Sequence, residues 1–225
     1  MKKPVVDYRE FRFSRINEPR FSHVKLLGGW IAYFAMYFIT ENLIPYERCH
    51  VVHGFLDDLI PFNEYFAIFY VAWYFVVFGS LLYTLLYNID SFKKMQTYIM
   101  LTQLIAMTVY VLWPSRQDLR PESFARDNLF TQVMGFIYAF DTPTGVCPSL
   151  HVGYSVAVAS TMQKDESCPA WGKAAFWLFA ALVSLAVCFV KQHSAVDVIA
   201  AIPMCLAAEL FVFGKAYWLP RLKHA

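Results

Sequence analysis

Lipid is the constraint that this chain must satisfy first. Six stretches of predominantly apolar residues, 26–44, 62–87, 95–113, 148–162, 170–190 and 193–213, are separated by polar segments. A helix rises about 1.5 Å per residue, so about 20 apolar residues cross the ~30 Å hydrocarbon core of a bilayer. No water is present there to pair with peptide groups, so a crossing segment must close its own hydrogen bonds as a helix. Composition agrees: 58% of the residues are hydrophobic and 16% are charged, where a soluble domain has about 25% charged residues. The expectation is an all-α, polytopic membrane protein with six transmembrane helices. The stretch 148–162 is short for a crossing, which places its start below the membrane surface. Residues 129–140 are apolar but too few to cross, and are expected to lie at the interface or to re-enter.

Charge then orients the chain. Six crossings put both ends on one side. The segments 1–25, 88–95, 163–173 and 214–225 on that side carry all of the 19 Lys and Arg except Arg48, Arg116, Arg120, Arg126 and Lys191. By the positive-inside rule that side is the cytoplasm. The expected location is the plasma (inner) membrane, with both termini cytoplasmic. This divides the chain into a basic tail over 1–25, a six-span domain over 26–213 and a second basic tail over 214–225. Aromatics interleave the arginines of the first tail (Tyr8, Phe11, Phe13, Phe21), which suits an anionic membrane surface and equally a solvated tail. A net charge of +2 is too small to point to nucleic acid. Three of the exceptional arginines crowd the outer loop 114–127, where topology gives them no reason to be. Either function keeps them there, or they pair in solvent with Asp118, Glu122 and Asp127.

That outer side also holds the residues with chemistry. Cys147-Pro148-Ser149-Leu150-His151 follows a polar turn, Asp141 to Gly145, and opens an apolar run. Pro is favoured at a first helical position, which predicts a helix from about Pro148. Its leading N–H groups, at Ser149, Leu150 and His151, suit an anion such as phosphate. An ordinary helix start with a chance histidine fits the same residues. His193 and Asp197 are four apart and therefore share a helical face. A carboxylate there fixes the imidazole tautomer through one ring nitrogen and leaves the other free as a nucleophile. A plain helix-bridging pair is the other reading, although an Asp inside a membrane helix is costly without partner or function. Two histidines, a carboxylate, several cations and a helix start together match the needs of phosphoryl transfer. That chemistry takes cations on the equatorial oxygens, a nucleophile in line and an acid for the leaving oxygen.

The same residues carry a family resemblance. Pro148-Ser149-Leu150-His151 resembles the Pro-Ser-x-His motif of the type 2 phosphatidic acid phosphatase (PAP2) superfamily. His193-x-x-x-Asp197 resembles its histidine-nucleophile motif, and Arg120-Pro121 the Arg-Pro that closes its first motif. Order and spacing are similar from about Trp113 to Ala201. Leu150 stands where most members carry Gly, and is closer to the branch of inositol phosphorylceramide synthases and related bacterial proteins. The first motif's Lys would fall on Trp113 and the third motif's Arg on Val187, so Arg116 and Lys191 are expected to supply those charges. The resemblance implies a PAP2-like helical bundle and a lipid phosphatase that needs neither metal nor other cofactor. In that scheme His193 attacks phosphorus, held by Asp197, and His151 protonates the leaving oxygen. Arg120, Arg116, Lys191 and the helix start at Ser149 bind the phosphoryl oxygens, and water or an alcohol resolves the phosphohistidine. The implied substrate is a lipid phosphate, monoester or pyrophosphate, met among membrane lipids at the outer face. An alcohol as acceptor would make the enzyme a head-group phosphotransferase.

Other features invite other readings. Cys147 lies four residues before His151, but the Arg-bearing loop of cysteine phosphatases does not follow it. Five scattered cysteines without a CxxC pair give neither a disulfide framework nor a zinc site, although Cys49 and Cys147 share the outer side. His50, His53 and Asp57 have a spacing compatible with a metal, and equally with an interfacial helix. The abundant Tyr, Trp and Phe read as lipid-facing and interfacial packing. Glu209 reads as a helix-bridging carboxylate. A transporter with a buried His–Asp relay is the alternative of a different class. Against it, the ionisable groups cluster at one face and no repeat of spans is visible.

Overall fold

A computed structural model describes residues 3–223, so Lys2 and His224 of the two tails lie outside it. The chain is mainly helical. Its α-helices are α1 (Gly28–Leu43), α2 (Phe55–Leu59), α3 (Ala67–Tyr87), α4 (Ile89–Leu112), α5 (Leu129–Phe140), α6 (Leu150–Lys164), α7 (Ala170–Phe189), α8 (Ala195–Phe213) and α9 (Leu219–Leu222). Four helical stretches are long and apolar enough to cross a membrane: Glu64–Tyr87, Ile89–Leu112, Ala170–Phe189 and Ala195–Leu222. These make the chain a helical membrane protein. The other two expected spans are α1, with 16 residues, and α6, with 15. At about 1.5 Å per residue they reach about 24 and 22 Å, short of the ~30 Å core.

The position of α6 explains why its sequence is the least lipid-like of the set. It packs against α3, α4, α7 and α8, and from Leu150 to Met162 only His151 and Val156 escape full burial. Its polar residues therefore meet protein rather than lipid. Tyr154, for example, accepts a 2.8 Å hydrogen bond from the Gln103 amide of α4. Gly153 permits the close approach, since a Cβ there would lie 3.0 Å from Met204 and 3.4 Å from Thr102.

Helix boundaries follow local capping. The α3–α4 connection shrinks to Asn88, whose backbone N–H closes α3 on the Thr84 carbonyl (2.8 Å) and whose side chain caps Ser91 N–H (3.2 Å). The turn expected over 88–95 is thus already helix from Ile89, and Lys93 and Lys94 ride on the first turns of α4. At this end Asp165 accepts from the Asn88 amide (2.8 Å), the Ser91 hydroxyl (2.9 Å), and the Ser167 N–H (2.9 Å) and hydroxyl (2.7 Å). The described part of the first basic tail folds back here. Val5 N–H bonds the Leu86 carbonyl, and the Tyr8 hydroxyl bonds the Leu85 carbonyl and the His23 ring. Phe21 and His23 are buried, so this part of the tail packs on the bundle, while Phe13 and the arginines stay near solvent. Glu209 bridges helices as expected, joining Lys164 (2.8 Å), the Ser160 hydroxyl and the Trp218 indole (2.6 Å).

At the opposite end a small ladder ties three loops together. Strand β1 (His50–Val51) pairs in parallel with β2 (Ser115–Arg116), with His50 opposite Ser115. The Ser115 hydroxyl takes the N–H groups of Val146 (3.2 Å) and Cys147 (3.1 Å), and its carbonyl takes Gly145 N–H (2.7 Å). Gly145 has φ 59°, and a Cβ on it would press 3.3 Å from the Tyr110 ring, which explains glycine at this turn.

Burial alone would raise the Asp165 carboxyl pKa, but hydrogen bonds from Ser167, Ser91 and Asn88 hold it below the usual carboxylate range. A depressed pKa means its contribution is complete above the unfolded value of about 3.9 and is lost as pH falls through the folded value. Asp165→Ala is therefore expected to cost about 2 kcal/mol at neutral pH. The gap in Tm between variant and parent in detergent should close below about pH 4. A variant as stable as the parent at pH 7 would contradict this.

Candidate functional site

The site begins where α7 stops. Lys191 N–H reaches the Cys188 carbonyl (3.2 Å) and Gln192 N–H the Val187 carbonyl (2.9 Å), the paired bonds of a Schellman ending. That ending needs a left-handed residue, usually Gly; here Lys191 takes φ 52°. Side-chain anchoring offsets the backbone cost, because its ammonium bonds the Asp57 (3.2 Å) and Ile60 (2.5 Å) carbonyls. Burial pulls the Lys191 pKa down, opposed by the nearby Asp57 carboxylate. Gln117, fully buried, fixes the Lys191 carbonyl from the loop after β2 (2.9 Å).

The chain then enters α8 through a capping box. Ser194 is the N-cap, with its hydroxyl on Val196 N–H (3.0 Å), and Asp197 in the first turn accepts Ser194 N–H (2.9 Å). The same Asp197 oxygen lies 3.1 Å from His193 Nδ1. The expected pairing of His193 with Asp197 is present, but the cap makes it rather than two residues stacked on one helical face, because His193 precedes the helix. Asp57, buried at the start of α2, completes the junction. It accepts Gly54 N–H (2.8 Å), the Ser194 hydroxyl (2.5 Å) and Ala195 N–H (2.8 Å). Asp57 thus serves the first turn of α8 and not a metal. His50 stacks on Trp113 and His53 pairs with Asp58 (2.9 Å), so the three do not converge. Among the described residues no group of three or more His, Cys, Asp or Glu could hold a metal ion.

Across from this junction, α6 starts at Leu150, two residues later than expected, after a cis Cys147–Pro148 bond. Ser149 N–H is not free for a ligand, since it bonds the Asp197 carbonyl at 3.1 Å. The Ser149 hydroxyl is fully buried and unpartnered. His151 Nδ1 lies 3.1 Å from His193 Nε2, which completes a chain Asp197–His193–His151. With His193 Nδ1–H given to Asp197, its Nε2 is the acceptor and His151 Nδ1–H the donor. The His151 ring is held between Tyr70 and Trp73, at 4.9 and 4.4 Å between centroids, and its Nε2 is buried without a partner. Buried orphan polar atoms are rare in folded proteins, and with Asp197 Oδ1 three of them at one histidine pair mark a place that folding alone does not satisfy.

Both histidines border a pocket of about 70 Å³, walled by Tyr33, Tyr37, Tyr110, Asp141, Thr142 and Thr144 with Gln192. These tyrosines line the site, which the aromatic composition did not reveal. The predicted cations are placed unevenly around it. Arg120 reaches the wall: it bonds the Asp141 carbonyl (2.7 Å) and Gln192 Oε1 (2.6 Å) and stacks on Tyr138. Arg116 turns away, over the Tyr46 ring and toward Asp118 (3.4 Å), and Lys191 is spent on backbone carbonyls. Neither side chain lines the pocket. Arg126 pairs with the buried Glu64 (2.9 Å). The expected set thus divides: His151, His193, Asp197 and Ser149 come together, Arg120 stands behind the wall, and Arg116 and Lys191 serve the loops.

The thiols take no part in this chain. All five cysteines are free, Cys49 and Cys147 included. Burial, with the adjacent Asp197 carboxylate, pushes the Cys147 thiol up to about 12, which leaves it protonated and a poor nucleophile. Asp57 and Gln117 were not singled out for this site by the sequence. Gln117 gave no signal beyond a polar residue in a loop, and Asp57 only the spacing with His50 and His53 that suggested a metal.

Asp57→Ala leaves two donors at the head of α8 and one at the start of α2 without an acceptor and is expected to cost about 3 kcal/mol or more. Asp57→Asn should recover part of it. Thermal unfolding in detergent reads both; an unchanged midpoint for the Ala variant would remove Asp57 from this role. No protein-family model, curated protein or solved structure matches the chain.

Proposed function

We propose that this protein is a PAP2-type membrane enzyme that cleaves a phosphomonoester or pyrophosphate lipid at the outer membrane face through a phosphohistidine. The observation that carries the reading is the buried chain Asp197–His193–His151, with both links at 3.1 Å, ending in a pocket at the end of the bundle away from the basic tails. The topology assumed is six spans, with α1 and α6 as the short ones and both termini cytoplasmic. His193 Nε2 forms a bond to phosphorus while the bond to the leaving oxygen breaks, and that oxygen takes the His151 proton. Water then attacks phosphorus and gives a proton to His151 as the P–N bond breaks, which restores the resting pair. Asp197 keeps the nucleophile in one tautomer and stabilises the charge that develops on its ring.

The two imidazoles touch in the resting state, so an entering phosphoryl group must part them. Arg120 is the cation placed to follow it, by exchanging Gln192 and Asp141 for phosphoryl oxygens. The resemblance implies no metal, so phosphate release from lipid phosphates should persist in EDTA. His193→Ala and Asp197→Ala should abolish release while the purified variants keep their helical content; full activity in either would end the assignment. Because His193 must be neutral and His151 protonated together, kcat/KM should fall on both sides of a maximum. A rate independent of pH across the histidine range would contradict the pair.

One observation favours a second reading. The pocket wall is rich in hydroxyls (Tyr33, Tyr37, Tyr110, Thr142, Thr144) beside the Asp141 carboxylate, groups that hydrogen-bond an alcohol well. With an alcohol as acceptor the same chemistry is head-group transfer. Product transfer to an added polyol without phosphate release would select it.

A further inference from the structure

A lipid-phosphate enzyme must hold a hydrocarbon chain as well as a head group, and three apolar furrows open on the sides of this bundle. One, of about 580 Å³, runs between α1 and α4 and is lined by Tyr33, Met36, Leu104, Met107, Thr108 and Leu112, among others. A second lies between α3 and α7 and a third beside α6 and α8. The α1/α4 furrow is the one of the three that shares a wall residue with the histidine pocket, Tyr33. Its neighbours continue the connection, since Tyr37 and Tyr110 line the pocket while Met36 and Val111 line the furrow. Along α4 the furrow runs from Leu112 to Thr97, about 22 Å at about 1.5 Å per residue, with Tyr33 part way along it. That exceeds half of the ~30 Å hydrocarbon core, so it takes a chain of full leaflet length. Its rims are bare: Leu104 and Leu112 are 64% and 79% exposed. The methionines in its lining adapt readily to a flexible apolar guest. At Gly29 the two helices meet so closely that a Cβ would press 2.8 Å from Met100.

We propose that the α1/α4 furrow is the binding site for one hydrocarbon chain of the lipid substrate, with Tyr33 at the junction where chain gives way to phosphate. This rests on reading the site as one that acts on a lipid phosphate. The chain would enter sideways from the bilayer, and the head group would meet His193 and His151 from the α1 side.

The test uses the full chain in nanodiscs with a lipid monophosphate that carries a diazirine near its chain end. Photolabelling followed by peptide mapping should place adducts on α1 or α4 residues of the furrow. Unlabelled lipid monophosphate should compete, and the dephosphorylated lipid of the same chain should compete much less. Labelling centred on the α3/α7 furrow, or equal competition by the dephosphorylated lipid, would overturn the proposal. A second arm uses Ala32→Trp with Thr108→Trp to fill the furrow. The ratio of kcat/KM for a long-chain over a water-soluble short-chain phosphate should fall ~10-fold or more. An unchanged ratio overturns the furrow even if the protein hydrolyses both. Specific furrow labelling in a protein that releases no phosphate keeps the furrow and sinks the hydrolase.

Discussion

Two carboxylates buried at the head of α8 set the terms for the end of this molecule that carries the histidine pair. Taking an ion out of water costs several kcal/mol unless hydrogen bonds replace its hydration. Asp57 and Asp197 are almost wholly enclosed. Each recovers the loss from the same source, the N–H groups that a helix start leaves unpaired. Asp57 takes Ala195 N–H and the Ser194 hydroxyl from the α2 side, and Asp197 takes Ser194 N–H from within. The Asp197 oxygen that takes Ser194 N–H is also the one that meets His193. The imidazole is thereby oriented by the device that caps the helix, so loss of the cap would also loosen the ring.

Around that junction the loops act as a brace. Lys191 adopts a backbone conformation that costs a non-glycine residue about 1–2 kcal/mol, and its ammonium links the α7–α8 turn to the carbonyls around α2. Gln117 holds the same turn from the other side, and the β1–β2 ladder with the Ser115 hydroxyl ties in the loop before α6. Four connections distant in sequence are thus locked to one another, and two histidines 42 positions apart meet at 3.1 Å. The proposed nucleophile in the turn before α8 and the proposed acid on α6 would need this kind of support, since small displacements of either weaken an in-line reaction sharply.

The bundle divides labour between lipid and protein surfaces. Helices α3, α4, α7 and α8 present enough apolar surface to face lipid. Helix α6 carries the polar residues because the others enclose it. The aromatic side chains divide in the same way. Phe34, Phe38 and Phe75 lie exposed on the outside, whereas Tyr70, Trp73 and Tyr110 pack inward against His151 and the Pro148 carbonyl.

Patterns confined to a few neighbouring residues were legible in the sequence. Apolar runs located the helices, four of them long enough to cross a membrane, and the spacing of His193 and Asp197 identified a pair that does meet. Leu129–Phe140 was recognised as too short to cross and is a 12-residue helix. Such features depend on hydropathy and on hydrogen bonds that close within one helical turn. What only the tertiary structure decided was the fate of each charge: Arg120 toward the pocket, Arg116 and Lys191 to the loops, Asp57 to the head of a helix far along the chain. A guanidinium or a carboxylate looks the same in sequence wherever it ends up. Its partner is chosen by how the helices pack, and packing is a property of the whole chain.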